Sequence, residues 1–148
     1  MIAVVQRVSN SSVEIEGSII SKISLGLLIL LGIKKGDNKS NAEYLLKKVL
    51  NLRIFPDDKG KMNLSVKDTN GEILVVSQFT LCTDNNKSGN RPSFTLAEEP
   101  IKANELYEYF INKLKEEYVE ERILSGVFSS NMKLNILNDG PVTILLEK

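Results

Sequence analysis

No histidine occurs anywhere in the 148 residues, and that absence removes whole classes of chemistry. Ser-His-Asp and Cys-His relays cannot be built, because both need an imidazole to take the nucleophile's proton. A zinc site would depend on carboxylates and a single thiol, a poor ligand set. Any catalysis is therefore expected to run without metal or cofactor, on hydroxyls, backbone amides or groups that the substrate brings. The one cysteine, Cys82, permits no intrachain disulfide, and with no imidazole to lower its pKa it reads as a packing residue. Long apolar runs are missing too. Leu25–Ile33 falls well short of the ~20 residues that cross a bilayer. The opening Met1–Arg7 lacks a basic flank and a cleavage site, so a cytoplasmic protein that keeps clear of membranes is expected. Nor is there an excess of charge: Lys plus Arg and Asp plus Glu both total 19. A chain that gripped long stretches of phosphate backbone would be basic, so any nucleic-acid partner should be touched over a small area.

What is present reads as one domain over residues 1–148, with no repeat, low-complexity segment or linker. Ile2, Val4 and Gln6 alternate with Ala3, Val5 and Arg7, and Val13–Glu16 alternates again before Gly17-Ser18, which predicts strands. Leu25–Ile33 and Ile73–Val76 read as strands buried on both faces. Ser40-Asn41-Ala42-Glu43 has the form of a capping box, followed by Ala42, Leu45, Leu46, Val49 and Leu50 on one helical face. Leu52–Phe55 is a further candidate strand, and Pro56–Gly60 a turn. Pro100 suits the first turn of a second helix, striped with Ala103, Leu106, Tyr107, Phe110 and Leu114. Two C-terminal strands, about Met132–Leu137 and Val142–Leu146, are expected to flank a tight turn at Asn138–Pro141. Strands on both sides of each helix give an α/β fold: one mixed β-sheet, curled toward a barrel, with two main helices packed on it.

Two segments carry candidate chemistry. Ser77-Gln78-Phe79-Thr80 continues the apolar strand Ile73–Val76, where side chains can bind a ligand and backbone N–H groups can hold an oxyanion. A half-buried strand showing polar residues to water would look the same. Asn138-Asp139-Gly140-Pro141-Val142-Thr143 fits turn chemistry alone, or a rigid backbone feature with Gly140-Pro141 cis.

Taken together, the two segments resemble the signatures of the D-aminoacyl-tRNA deacylase (D-tyrosyl-tRNA(Tyr) deacylase) family, Ser-Gln-Phe-Thr and Asn-x-Gly-Pro-[Val/Phe]-Thr. Ala3-Val4-Val5-Gln6-Arg7-Val8, Leu52-Arg53-Ile54-Phe55, Gly60-Lys61-Met62-Asn63 and Arg91-Pro92-Ser93-Phe94 match as well, in order along nearly the whole chain. Two features depart from the pattern. The loop Cys82–Asn90 is about one residue longer than usual, and Phe128-Ser129-Ser130 stands where the family often has Phe-Gly-Ala.

The resemblance implies a homodimer that hydrolyses the ester of D-aminoacyl-tRNA, and to some degree mischarged glycyl-tRNA, in chiral proofreading of translation. Ser77, Gln78, Phe79 and Thr80 would line the pocket of one subunit. Gly140 and Pro141, expected cis, would enter it from the other and leave no room for an L side chain. Arg7 would hold the Gly-Pro turn, and Phe128 and Met132 would form the slot for the terminal adenine of the 3′ aminoacyl-adenosine. Arg7 as a surface residue, and Phe128 and Met132 as core, are the plainer readings. Thr80 is the obvious hydroxyl, but without a base it is a poor nucleophile; the substrate's ribose 2′-OH could activate the water instead. The alternatives are an esterase acting on small D-amino acid esters without tRNA, and an RNA-binding module without turnover.

Overall fold

The protein is described here from a computed structural model that covers residues 1–84 and 89–148. The first strand, β1 (Ile2–Ile15), organises the rest because both of its edges are used. One edge pairs antiparallel first with β3 (Gly26–Gly32), from Ile2 to Val8, and then with β2 (Ser18–Ile23), from Ser11 to Ile15. The other edge pairs with β8 (Lys133–Glu147) along nearly its whole length. β3 continues parallel to β6 (Glu72–Ser77), and β6 parallel to β7 (Ile123–Ser125). β2 then meets β7 again, where Ser21 Oγ donates to the Ser125 carbonyl at 2.6 Å. The sheet comes round almost into a closed barrel, as the sequence led us to expect.

The apolar runs are explained by this closure. In β3, Leu28 faces the barrel interior with Val8, Val13, Ile23, Leu74 and Val76. Its neighbours Leu27, Ile29 and Leu31 face the other way, with Ile73 and Val75, into the core beneath the helices. A strand sandwiched between two cores needs apolar residues at every position, and each such side chain removed from water contributes about 1.5–3 kcal/mol.

Helix α1 (Lys39–Leu50) buries Ala42, Leu45, Leu46, Val49 and Leu50. Helix α2 (Pro100–Glu117), with proline in its first turn, buries the expected stripe and Ile111 besides. Four local expectations need correction. The cap of α1 is Asn38, whose side chain accepts from the N–H of Ser40 and Asn41, so Ser40 lies inside the first turn. Leu52–Phe55 is not a strand: the N–H groups of Leu52 and Ile54 bond back to Val49 and Leu52 as α1 unwinds. Only β4 (Phe55–Pro56) pairs, with β5 (Met62–Leu64), so Pro56 belongs to a strand and the turn follows it. Finally, the two C-terminal strands are one strand. Both halves of β8 run antiparallel to β1, so Asn138–Pro141 reverses nothing. Asp139-Gly140-Pro141-Val142 is a wide excursion opposite the single residue Arg7, between the pairs Val8–Asn138 and Gln6–Thr143.

Candidate active site

β3, β6 and β7 are parallel, so their carboxyl ends open on the same side, the usual place for ligands in such sheets. A cavity of about 470 Å³ lies there. Leu31 and Val76 form its base, Ser77, Gln78 and Phe79 one wall, and Phe128 and Met132 another. Ala97, Glu98 and Pro100, at and just before the start of α2, line it as well.

After Ser77 the chain leaves the sheet, pinned by the Gln78 N–H on the Leu31 carbonyl at 2.8 Å. It then coils into a short 3-10 turn, Phe79–Cys82, where the sequence suggested a polar strand end. The first N–H of this turn to bond back is that of Leu81, to the Gln78 carbonyl. The N–H groups of Phe79 and Thr80 are among the orphaned donors that begin any helical turn. Thr80 is exposed beside the cavity rather than in its lining. Its Oγ1 accepts from Gln78 Nε2 at 2.5 Å, which leaves the hydroxyl proton free to point away. Phe79 is 60% exposed and braced edge-on by Phe94, the ring centroids 5.1 Å apart. Cys82 is buried, donates to the Ile33 carbonyl, and has its thiol pKa pushed up by that burial. It packs, as expected. Of the loop Cys82–Asn90, residues 85–88 lie outside the described residues.

The opposite wall is built on Tyr107. Its buried hydroxyl donates to the Val75 carbonyl at 2.9 Å, and burial holds its pKa above the ordinary range. Its ring packs against Phe128, centroid to centroid 5.7 Å. Met132 lies against Gly126, where a Cβ would come within 2.7 Å of the sulfur, so any larger residue there would push the thioether aside. Ser129, one of the departures from the usual pattern, sits at φ 61, a left-handed conformation that costs a non-glycine residue about 1–2 kcal/mol. Glu98 is anionic within the wall. Lys102 first, then the N–H groups of Glu99 and Gly36, hold its carboxyl below the usual range.

The excursion from β8 is elsewhere. Gly140 and Pro141, joined by a cis bond, are exposed and line no part of the chain's own cavity. Its neck is tied by Asn138, whose Oδ1 accepts from the Val142 N–H and whose Nδ2 donates to Thr143 Oγ1. Its base is held by Arg7, 8% exposed. Arg7 Nε lies 3.3 Å from the Asp139 carbonyl and 3.0 Å from its carboxylate. Nη1 donates to the Ile54 carbonyl at 2.6 Å. A Cβ on Gly140 would stand 3.1 Å from Arg7 Nη2, and φ there is 122, so glycine fits for space and for backbone alike.

Of the residues singled out from sequence, the structure thus gathers Ser77, Gln78, Phe79, Phe128 and Met132 around one cavity, with Thr80 beside it. Arg7, Gly140 and Pro141 form a second group. Sequence reasoning placed Tyr107 only in the core stripe and passed over Glu98, although Glu98 and Lys102 at i,i+4 ahead of a proline-started helix were a usable signal.

Comparison with known proteins bears on both groups. The family model described as D-Tyr-tRNA(Tyr) deacylase matches residues 4–147. A D-aminoacyl-tRNA deacylase of Thermosipho melanesiensis is 54% identical over 147 residues, covering 99% of this chain and 97% of that one. One of Haemophilus influenzae is 51% identical over 146 residues, covering 99% of each. Among solved structures, a c-Myc DNA unwinding element binding protein is 45% identical and superposes with a TM-score of 0.95, covering 100% of this chain and 99% of its own. A structure described as a probable eukaryotic D-amino acid tRNA deacylase has a TM-score of 0.81 at 14% identity over 99% of this chain and 98% of that one, a likeness of fold.

Proposed function

The chain belongs to the D-Tyr-tRNA(Tyr) deacylase family, and from that membership we propose that it hydrolyses the ester of D-aminoacyl-tRNA in active sites that two subunits build together. Water adds to the aminoacyl carbonyl, the tetrahedral oxyanion collapses, and the ribose oxygen leaves with a proton, giving free D-amino acid and tRNA. Glycyl-tRNA, with no side chain to exclude, is a lesser substrate. The reaction is one of translational proofreading, and the charged tRNA it acts on places it in the cytoplasm. No helix among the described residues is long and apolar enough to cross a membrane.

The observation that carries the shared site is the separation of the two groups. Ser77–Phe79 line the cavity, while Gly140 and Pro141 project from the surface of the same subunit and line none of it. A second copy can supply them. Leu137 and Leu145 on β8 are 55% and 64% exposed, apolar surface available to a subunit contact. In the composite site the partner's Gly140-Pro141 closes the space an L side chain would need. The N–H groups of Phe79 and Thr80, which bond to no other described residue, receive the oxyanion, where a preorganised donor is worth about 3–4 kcal/mol. Phe128 and Met132 take the terminal adenine. Among the described residues no side-chain base is bonded to Thr80, whose Oγ1 accepts from the Gln78 amide, so the 2′-OH of the substrate's ribose positions the water.

The deciding assay offers D- and L-tyrosyl-tRNA side by side, with and without chelator. Hydrolysis of the D ester alone, insensitive to chelator, is the expected result. Equal rates on both esters would reject the chiral reading, and loss with chelator restored by zinc would reject metal-free chemistry. Turnover of a D-amino acid methyl ester as fast as of the tRNA ester would favour the small-ester alternative.

A further inference from the structure

At the end of α1, Tyr44, Lys47, Lys48, Asn51, Leu52 and Arg53 line an open groove of about 460 Å³, which shares no residue with the cavity. Three of the six are cations and none is an anion. Among the described residues no carboxylate forms an ion pair with Lys47, Lys48 or Arg53. Tyr44 is 42% exposed, with the ammonium of Lys48 5.7 Å from its ring centroid and that of Lys148 at 5.0 Å. In a chain whose charges sum to zero, this is a local surplus of positive charge around an exposed aromatic face.

Its place in the fold matters as much as its charge. Arg53 is fixed by Asn63, through Nε on the Asn63 carbonyl and Nη2 on its side-chain oxygen. The next residue, Ile54, offers its carbonyl to Arg7, and Arg7 holds Asp139 at the base of the β8 excursion. The groove therefore adjoins the segment that reaches the partner's cavity, where the 3′ end of the substrate is held.

We infer that this groove seats the sugar-phosphate backbone of the substrate tRNA beyond its terminal nucleotide. The inference rests on the deacylase reading and extends it by naming a second contact for the same substrate. Lys47 and Lys48 are point charges suited to phosphate oxygens. An exposed Tyr44 offers a face to a ribose or an unstacked base. Confining the grip to one groove reconciles RNA binding with zero net charge, because only a few phosphates need be neutralised.

The test compares wild type with the double variant Lys47→Gln, Lys48→Gln, using D-tyrosyl-tRNA, D-tyrosyl-adenosine and uncharged tRNA as probes. Both lysines are exposed, so the variant should melt with the wild type; Lys47→Arg, Lys48→Arg provides a charge-preserving control. On D-tyrosyl-tRNA the variant should show a raised KM at unchanged kcat. Each lost phosphate contact removes about 0.7–0.9 from the log–log salt slope. The wild-type advantage in KM should thus shrink about tenfold between 50 and 200 mM salt, and the arginine variant should recover it. On D-tyrosyl-adenosine, which ends before the groove, the variant and wild type should coincide.

An unchanged KM and salt slope on D-tyrosyl-tRNA would overturn the inference, leaving the groove to an acidic protein or to solvent. So would an equal KM rise on D-tyrosyl-adenosine, which would mean the change reached the cavity through the fold. If wild type hydrolysed neither ester, the deacylase reading would fail. The Kd for uncharged tRNA would still judge the groove, overturning it if both proteins bound alike.

Discussion

Replacing Arg7 by Met keeps the buried stem and removes only the guanidinium. The Ile54 carbonyl then loses the donor it meets at 2.6 Å, and a buried acceptor left without a partner costs about 1–3 kcal/mol. The Asp139 carboxylate loses its partner at 3.0 Å, but its side chain is 44% exposed, so that pair adds no more than about 1 kcal/mol. A loss of roughly 1–4 kcal/mol lowers Tm by about 2–16 °C in a chain of this size and leaves the protein folded at 25 °C. The effect on catalysis should be larger than stability suggests, because the excursion loses the contact that fixes its base. A displacement of about 1 Å at a reacting centre costs on the order of 10²-fold. Arg7→Lys should rescue little, since one ammonium cannot serve Ile54 and Asp139 as a fork does. The assay is kcat/KM on D- and L-tyrosyl-tRNA together with thermal melting. A variant that melts lower but keeps its rate and its D/L ratio would refute the link from Arg7 through the excursion to the site. An unchanged Tm would refute the bond to Ile54.

Thr80→Ala should reduce kcat by far less than the ~10⁶-fold that follows loss of a true nucleophile; a D-aminoacyl group trapped on Thr80 would contradict this. Thr80→Trp dimers and dimers with Gly140 and Pro141 disrupted should each be inactive. Unfolding and refolding an equal mixture should restore roughly a quarter of wild-type activity, since half the dimers are mixed and each keeps one intact site. No recovery despite proven mixed dimers would reject a shared site. Burial raises the Cys82 pKa above its ordinary value of 9.0, so the folded state holds the proton longer. Its contribution is fully present below about pH 9 and is lost as pH rises through the folded pKa. Denaturant titrations from pH 8 upward should show the decline, and a thiol reagent should label native protein only slowly at pH 8.

The parts of the fold legible in the sequence were those where one residue's neighbours along the chain decide its environment. Leu27 through Leu31 had to be apolar throughout because the strand divides two cores, and Ala42, Leu45, Leu46, Val49 and Leu50 declared their helix face by spacing. Boundaries failed where two residues could serve equally, as with Asn38 and Ser40 for the α1 cap. Asn138–Pro141 misled for a different reason. Its residues are those of a turn, but whether the chain reverses depends on which strand each flank pairs with, and both flanks pair with β1. For the site, Ser77–Phe79 and Phe128 carried a local signature. Tyr107, whose hydroxyl and ring position the wall beside Phe128, looked like any core aromatic until the packing was known.

The excursion on β8 also works as a ruler. It leaves β1 at Asn138 and is back in register by Thr143, so its chain must go out and return within Asp139–Val142. At about 3.3–3.6 Å per residue, the five steps from Asn138 out and back to Thr143 project no farther than roughly 8–9 Å. A partner's cavity can be reached only if the two subunits sit flush along this face, with no room for a layer of intervening side chains. In the proposed dimer, loosening that contact by the width of one methyl-bearing residue would withdraw the chiral wall from the substrate before the subunits came apart.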